Sequence, residues 1–337
     1  MRFWKQLSIT VLTGMLVIPA LADTTEMRLF RIGTGGSGGT YYPIGGLVAL
    51  AISNPPGSRS CESGGSCGVP GLVAIAQSSN GSVANVRAVQ SGVLESAFAQ
   101  SDVAYWAFTG SGSFRNEGPA ARLRTIASLY PESIHLVTRR ESGIRTVRDL
   151  RGKRVSLDEP GSGTLTDARI VLEAFGLNTG DFEAEYIKPG VAAEKMLNDQ
   201  IDAFFFVAGY PAPSISRLAA EKEIYLVPLE GAEVHELIDT HRFFSETVIP
   251  ENSYEGVGPT PTLSVGAQLI TSSELDEELV YEITKSLWNT NSRWLLDNGH
   301  AKGRSITLET ALEGIATPLH PGAELFYREV GMLAREE

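Results

Sequence analysis

The chain is 337 residues long, carries 28 Lys and Arg against 40 Asp and Glu, and has a formal charge of −12 at pH 7. An acidic surface without a basic patch argues against nucleic acid and anionic membranes as partners. It leaves a small anionic ligand open, because a helix N-terminus binds an anion without net positive charge.

Residues 1–22 read as a secretory signal. Arg2 and Lys5 supply a positive start, residues 7–17 a short apolar run, and Ala20-Leu21-Ala22 a small-residue cleavage site. No Cys follows the cut, so no lipid anchor is expected. Later apolar runs such as Ala203–Ala208 fall far short of the roughly 20 residues a span requires, and no stable membrane insertion is expected. Cleavage near Ala22 leaves 315 residues with a formal charge of −14, exported to the periplasm. That length exceeds what one core usually serves, so two domains are expected.

Residues 27–32 (MRLFRI) read as a strand, and Ile44, Leu47, Val48 and Ala51 recur at the spacing of a buried helical stripe. Pro43 suits the first turn of that helix. Between them lies Gly33-Thr34-Gly35-Gly36-Ser37-Gly38-Gly39-Thr40-Tyr41-Tyr42. Its glycines allow backbone to approach a ligand, and the unpaired N–H groups and helix dipole outline an anion site. Two catalytic patterns match locally. Gly33, Gly35 and Gly38 fit the dinucleotide fingerprint, but the acidic residue expected about 20 residues on would fall in a Pro/Gly loop at 53–58. Gly35-Gly36-Ser37-Gly38-Gly39 fits the nucleophile elbow of serine hydrolases. Only 14 mature residues precede Ser37, too few for the strands and oxyanion loop of that fold; His300 and His320 are the candidate bases.

Cys61 and Cys67 are the only cysteines and close a Gly/Ser loop; in an oxidising compartment the simplest reading is a disulfide. No His or further Cys completes a metal set, and the five histidines show no H-E-x-x-H spacing. Asp158-Glu159 and Glu277-Glu278 read as solvated or capping pairs. No catalytic residue, metal or cofactor is expected.

From Leu72 strands and helices alternate. Strands are read at 72–77, 95–100, 126–129, 134–139, 155–157, 184–187, 203–207 and 224–227, with a break at Tyr130-Pro131-Glu132. This is an α/β pattern with mostly parallel sheets. Residues 263–270 form one more strand, and from Leu275 the rest reads as helical, Val280, Ile283, Leu287 and Trp288 sharing one side. A last helix after His320-Pro321-Gly322 is expected to bury Ala323, Phe326, Tyr327 and Val330. A strand end, a Gly turn with Ser or Thr and a helix start recur at 33–40, 80–82 and 161–164, so three helix N-termini are expected to converge on one cleft.

With these residues in place, the chain resembles the substrate-binding proteins of the TAXI group of TRAP (tripartite ATP-independent periplasmic) transporters. The match runs through Ile32-Gly33-Thr34-Gly35, Gly38-Gly39-Thr40-Tyr41-Tyr42-Pro43-Ile44-Gly45, Gly81-Ser82-Val83 with Asn85, and Gln100-Ser101-Asp102-Val103-Ala104. It continues through Leu129-Tyr130-Pro131-Glu132, the stretch from Asp149 to Val155, Gly161-Ser162-Gly163-Thr164, Asp202-Ala203-Phe204-Phe205, Gly209 with Pro211, and His320-Pro321-Gly322-Ala323. The resemblance implies a two-domain, type-II periplasmic binding protein-like fold, a hinged Venus flytrap. Domain I would be 23–130 plus 273–337 and domain II 131–272, with crossovers at 130–133 and near 270–273. It implies a small carboxylate ligand, glutamate, 2-oxoglutarate or similar, and TRAP membrane subunits as partners. The expected ligand contacts are Ser37, Gly38, Thr40 and Tyr41, then Ser82, Asn85, Gln100 and Ser101, then Ser162, Gly163, Thr164 and Tyr210. Lys188, Tyr254, Arg87, Arg139 and Arg169 are further side chains without an assigned place. Two alternatives stay open: an exported serine hydrolase using Ser37, and a ligand-sensing domain for a membrane receptor.

Overall fold

The computed structural model describes residues 26–315 and 317–334, so the expected signal at 1–22 lies outside the described residues. In chain order the first elements are β1 (Arg28–Gly33), α1 (Tyr41–Ile52), β2 (Ser53–Asn54), β3 (Val69–Pro70), β4 (Leu72–Gln77), α2 (Ser82–Gln90), β5 (Ser96–Gln100) and α3 (Ser101–Thr109). The middle of the chain holds β6 (Leu123–Arg139), β7 (Arg154–Ser156), α4 (Gly163–Ala174), β8 (Glu183–Glu185), α5 (Pro189–Leu197), β9 (Ala203–Ala208), α6 (Pro213–Glu221), β10 (Ile224–Leu226) and α7 (Ala232–Thr240). Then come β11 (Ser245–Ile249), β12 (Thr260–Ser272), α8 (Glu277–Leu287), α9 (Thr290–Gly299) and α10 (Pro321–Glu329).

One ten-stranded sheet runs through the molecule in the order β4-β1-β5-β12-β6-β9-β7-β8, with β10 on β6 and β11 on β12. Its flanks are parallel, β4-β1-β5 and β9-β7-β8. Its centre is antiparallel, which corrects the expectation of mostly parallel sheets: β12 pairs antiparallel with both β5 and β6, and β6 with β9. The fold is a mixed α/β fold of two lobes sharing that sheet.

The pleat explains the cores. Alternate residues point to opposite faces, so Phe98 joins one apolar cluster with Ile44, Leu269, Ile283 and Tyr327, while Ala97 and Ala99 join another with Val86, Val103 and Ile270. In the second lobe Phe205 packs with Leu136, Leu172 and Leu263, and Phe204 and Phe206 with Met196, Ile215 and Ile224. Both faces are covered by helices, which is why β9 reads as an unbroken apolar run.

The expected break at Tyr130-Pro131-Glu132 is absent: β6 is one strand of 17 residues. Pro131 suits extended backbone, and it sits opposite Gly266 where β6 and β12 pass from one lobe to the other, so its missing N–H interrupts no pairing that the strands depend on. Two further expectations fail. Residues 301–315 and 317–320 are one short 3-10 segment (Ala301–Ser305), turns and loop rather than helix, and Val330 is 43% exposed, one residue past the end of α10.

Cys61 and Cys67 form the expected disulfide, with Cα atoms 4.7 Å apart. Replacing both by Ser is expected to lower the unfolding free energy by about 2 kcal/mol, measured by urea denaturation of the oxidised wild type against the variant. An unchanged midpoint and slope would remove the loop from the stability of this lobe.

Candidate ligand-binding cleft

The three expected helix starts meet where the lobes face each other. The Gly-rich turn leads into α1, but its last residue, Thr40, does not cap the helix. Thr40 Oγ1 instead accepts from the Gly209 N–H at 3.0 Å, on the far lobe, and from Tyr130 Oη at 3.3 Å. Gly38 C=O accepts from the Ser214 N–H at 3.0 Å, also across the cleft. The α2 start is joined to the turn before α4: the Ala84 N–H donates to Gly161 C=O at 2.9 Å, and Asn80 Nδ2 to Pro160 C=O at 3.2 Å. Ser162 caps α4, its Oγ accepting from the Leu165 N–H at 3.1 Å. The lobes therefore touch directly, in a closed arrangement.

One contact leaves no room for a side chain. A Cβ on Gly163 would lie 1.4 Å from Gln100 Oε1 and 3.0 Å from Ser82 Oγ. Gln100, at the end of β5, is itself held on both sides: Ser82 Oγ donates to its Oε1 at 3.2 Å, and its Nε2 donates to Asp167 on α4.

Between the lobes is a cleft of about 420 Å³, a size suited to a small molecule. Of the expected contacts, Ser37, Gly38, Thr40, Tyr41, Ser82, Gln100, Ser162, Gly163 and Thr164 line it. Asn85, Ser101 and Tyr210 do not. Asn85 is buried, its Nδ2 donating to the Thr34 and Phe98 carbonyls at 2.7 Å each, so it ties the β1 and β5 ends together. Ser101 Oγ accepts from the Gly266 N–H at 3.3 Å and fixes β12. The Tyr210 ring lies under the Lys302 ammonium at 4.0 Å.

Lys188 lines the cleft, paired with Glu159 at 3.3 Å. Tyr254 is buried behind it, its hydroxyl 2.9 Å from His135 Nε2. Arg87 pairs with Glu117 and Arg139 with Asp199 and Asp202, while Arg169 is no part of the lining. The candidate bases for Ser37 are engaged elsewhere: His300 Nδ1 accepts from the Lys302 N–H, and His320 caps α10.

The residues that sequence reasoning missed are acidic. Glu132 is 1% exposed and lines the cleft; Tyr41 Oη donates to its Oε2 at 2.6 Å. Asp158, read from sequence as solvated or capping, is 5% exposed and also lines it. Burial pushes the Glu132 carboxyl up to about 8, opposed by the Tyr41 hydrogen bond, and burial pushes Asp158 up to about 7. Burial likewise lowers the Lys302 ammonium to about 8 and His135 to about 4. The signal for Glu132 was Tyr130-Pro131-Glu132 itself, which looked like a turn because Pro131 masks the strand.

Behind the cleft, Asp102 on α3 faces Asp167 on α4, both fully buried. Among the described residues no N–H or hydroxyl within hydrogen-bond geometry donates to either oxygen of Asp102 or to Oδ1 of Asp167, and the two carboxyls meet each other. Burial raises both carboxyls, and the charge of Asp102 raises Asp167 further. Two such groups cannot both ionise without cost, so the pair titrates as a unit shifted toward its protonated form.

A model of the NMT1-like family matches residues 32–331, and the chain belongs to that family. Among solved structures, it is similar to the alkanesulfonate-binding protein SsuA of Xanthomonas axonopodis pv. citri bound to MOPS, at 17% identity and a TM-score of 0.48, covering 90% of this chain and 84% of that one. The periplasmic aliphatic sulphonate binding protein SsuA of Escherichia coli matches at 13% identity and 0.42, covering 90% and 87%. A binding-protein component of an ABC phosphonate transporter of Pseudomonas aeruginosa matches at 10% identity and 0.47, covering 84% and 80%. No described helix is long and apolar enough to cross a membrane.

Because the Asp167 carboxyl is raised in the folded chain, folding takes up protons; its contribution is complete below the ordinary carboxylate range and is lost as pH rises through the raised value. Asp167→Asn keeps an acceptor for Gln100 and removes that loss. At pH 8 it is expected to add on the order of 1 kcal/mol, or about 2–4 °C in Tm, with little gain near pH 4. Thermal melts across that range test it, and a gain independent of pH would sink the assignment.

Proposed function

We propose that this chain is an exported, periplasmic receptor that binds a small carboxylate, glutamate, 2-oxoglutarate or a similar solute, and delivers it to the membrane subunits of a TRAP transporter as a member of the TAXI group. The observation that carries the reading is the convergence of the N-termini of α1, α2 and α4, with Ser37, Thr40, Ser82 and Ser162, on one cleft between two lobes. Each N-terminus offers unpaired N–H groups and a positive dipole end to an anion. The delivery role rests on the motif resemblance.

The lobes would be those of the sequence reading, 23–130 with 273–337 and 131–272, with one adjustment. Pro131 pairs with Gly266, and residues 267–271 pair with β5, so the second hinge is better placed at Gly266, which gives 267–272 to the first lobe. Closure would be a hinge motion about those two points. The close approach of Gly163 to Gln100 would form as part of that closure.

A thermal-shift panel of glutamate, glutamine, 2-oxoglutarate, succinate and fumarate tests the reading. A ligand at 100 times its Kd adds about 2.7 kcal/mol of stability, and failure of every small carboxylate to raise Tm would count against a carboxylate receptor. Gly163→Ala, whose new methyl meets Gln100 Oε1, is expected to abolish the ligand-induced shift while leaving the unliganded Tm within a few degrees. An undiminished shift in that variant would show that closure does not need this contact.

A further inference from the structure

The charges around the cleft do not suit a ligand that is anionic throughout. Its lining includes Glu132, Asp158, Glu159 and Glu194 on one side of the balance and Lys188 and Arg217 on the other. Both cations are already engaged, Lys188 with Glu159 at 3.3 Å and Arg217 with Glu194 at 3.4 Å and Glu221 at 3.3 Å. What is left over is Glu132 and Asp158, neither of which makes an ion pair among the described residues.

Glu132 is the more telling of the two. It is 1% exposed, and its Oε2 is taken by the Tyr41 hydroxyl at 2.6 Å. Its Oε1 has no hydrogen-bond partner among the described residues, on a side chain that lines the cleft. The neighbouring Lys302 lies with its ammonium 4.0 Å from the Tyr210 ring; among the described residues it makes no ion pair with Glu132, although its charge lowers the Glu132 carboxyl against the larger effect of burial. Asp158, from the turn after β7, brings a second buried carboxyl to the same cleft. Its Oδ1 accepts from the Glu159 N–H at 2.7 Å, and its backbone is held at φ +71°, a left-handed conformation that costs energy outside glycine.

A buried carboxylate with one neutral hydrogen bond is unstable as an anion. It is stable once a cation with spare N–H donors is placed against its free oxygen. We propose that Glu132, supported by Asp158, is a subsite for a protonated amine, so that the ligand is an α-amino acid whose carboxylate lies at the helix N-termini and whose ammonium is read by Glu132. This rests on the receptor reading above and narrows its ligand class. A 2-oxo acid or plain dicarboxylate of the same shape would find Glu132 protonated and gain no charge pairing from it.

The subsite also predicts a proton count. Burial holds Glu132 largely protonated at pH 7. An arriving ammonium favours the ionised carboxylate, so binding expels a proton to solvent, approaching one per ligand at that pH.

The experiment is a binding panel of the common L-amino acids, each beside its counterpart lacking the amine: glutamate with 2-oxoglutarate and glutarate, and the other amino acids with their 2-oxo acids. At least one amino acid is expected to bind 100-fold or more tighter than its counterparts. Glu132→Gln is expected to weaken that amino acid at least tenfold while leaving the amine-free compounds unchanged or tighter. Titration calorimetry of the same pair in phosphate and in Tris is expected to show proton release by the wild type that the variant lacks. The Tm of Glu132→Gln, expected to equal or exceed that of wild type, shows that it folds. Equal or tighter binding of the amine-free compounds overturns the amine subsite and leaves the carboxylate receptor standing. Amino-acid affinity unaffected by Glu132→Gln overturns the assignment to Glu132. Binding of no compound overturns both readings.

Discussion

Two strands carry the sheet from one lobe to the other, and their pairing decides where everything else sits. Pro131 on β6 lies opposite Gly266 on β12. Proline offers no N–H to the strand opposite, and the Gly266 N–H for its part donates to Ser101 Oγ, at the start of α3. That use of Ser101 accounts for its absence from the cleft, although it follows directly on Gln100, which is part of the lining. Glu132, one residue past Pro131, is carried into the space between the lobes by the alternation of an extended strand. A turn at this point, as the proline suggests, would have released it to solvent.

The seam between the lobes is made of ordinary interactions that oppose one another closely. Thr40 with Gly209, Gly38 with Ser214 and Ala84 with Gly161 are neutral hydrogen bonds, each worth about 0.5–1.5 kcal/mol net and each replaceable by water when the lobes part. The contacts around Gly39 and Gly163 require that no side chain intervene: a Cβ on Gly39 would lie 2.8 Å from Phe206 Cζ. Against these stand the buried acids, Asp102 with Asp167 and Glu132, which burial disfavours as anions. The buried acids oppose the hydrogen bonds of the seam, and a ligand shifts the population by its differential affinity for the closed form.

The legible part of the molecule was what repeats. Strand–turn–helix units, the paired cysteines and nine of the twelve expected positions now found lining the cleft were readable because a glycine turn with a hydroxyl before an apolar helix has one local solution. Strand edges came out within a residue or two at β4, β5 and β9 for the same reason. The antiparallel centre of the sheet was not readable, because strand direction depends on which distant strands pair, and nothing local in β6 or β12 encodes it. Asn85 illustrates a different limit. Its position on the second helix start is the one a ligand contact would occupy, yet both its donors are drawn to backbone carbonyls from β1 and β5 whose ends converge only in three dimensions. Asp158 and Glu132 were misjudged because burial, not residue type or spacing, sets the state of a carboxyl.

Hydroxyl-bearing helix starts and buried carboxyls make contradictory demands on a single charge. The N-termini of α1, α2 and α4 favour negative charge within about one turn of their ends. Glu132 and Asp158, which make no ion pair among the described residues, would favour positive charge once ionised. A ligand carrying both signs a few ångströms apart satisfies both sets at once and adds no net charge to an already acidic protein. On the proposed reading, the cleft is characterised by separation of charge rather than by the Gly-rich turn alone that first marks it in the sequence.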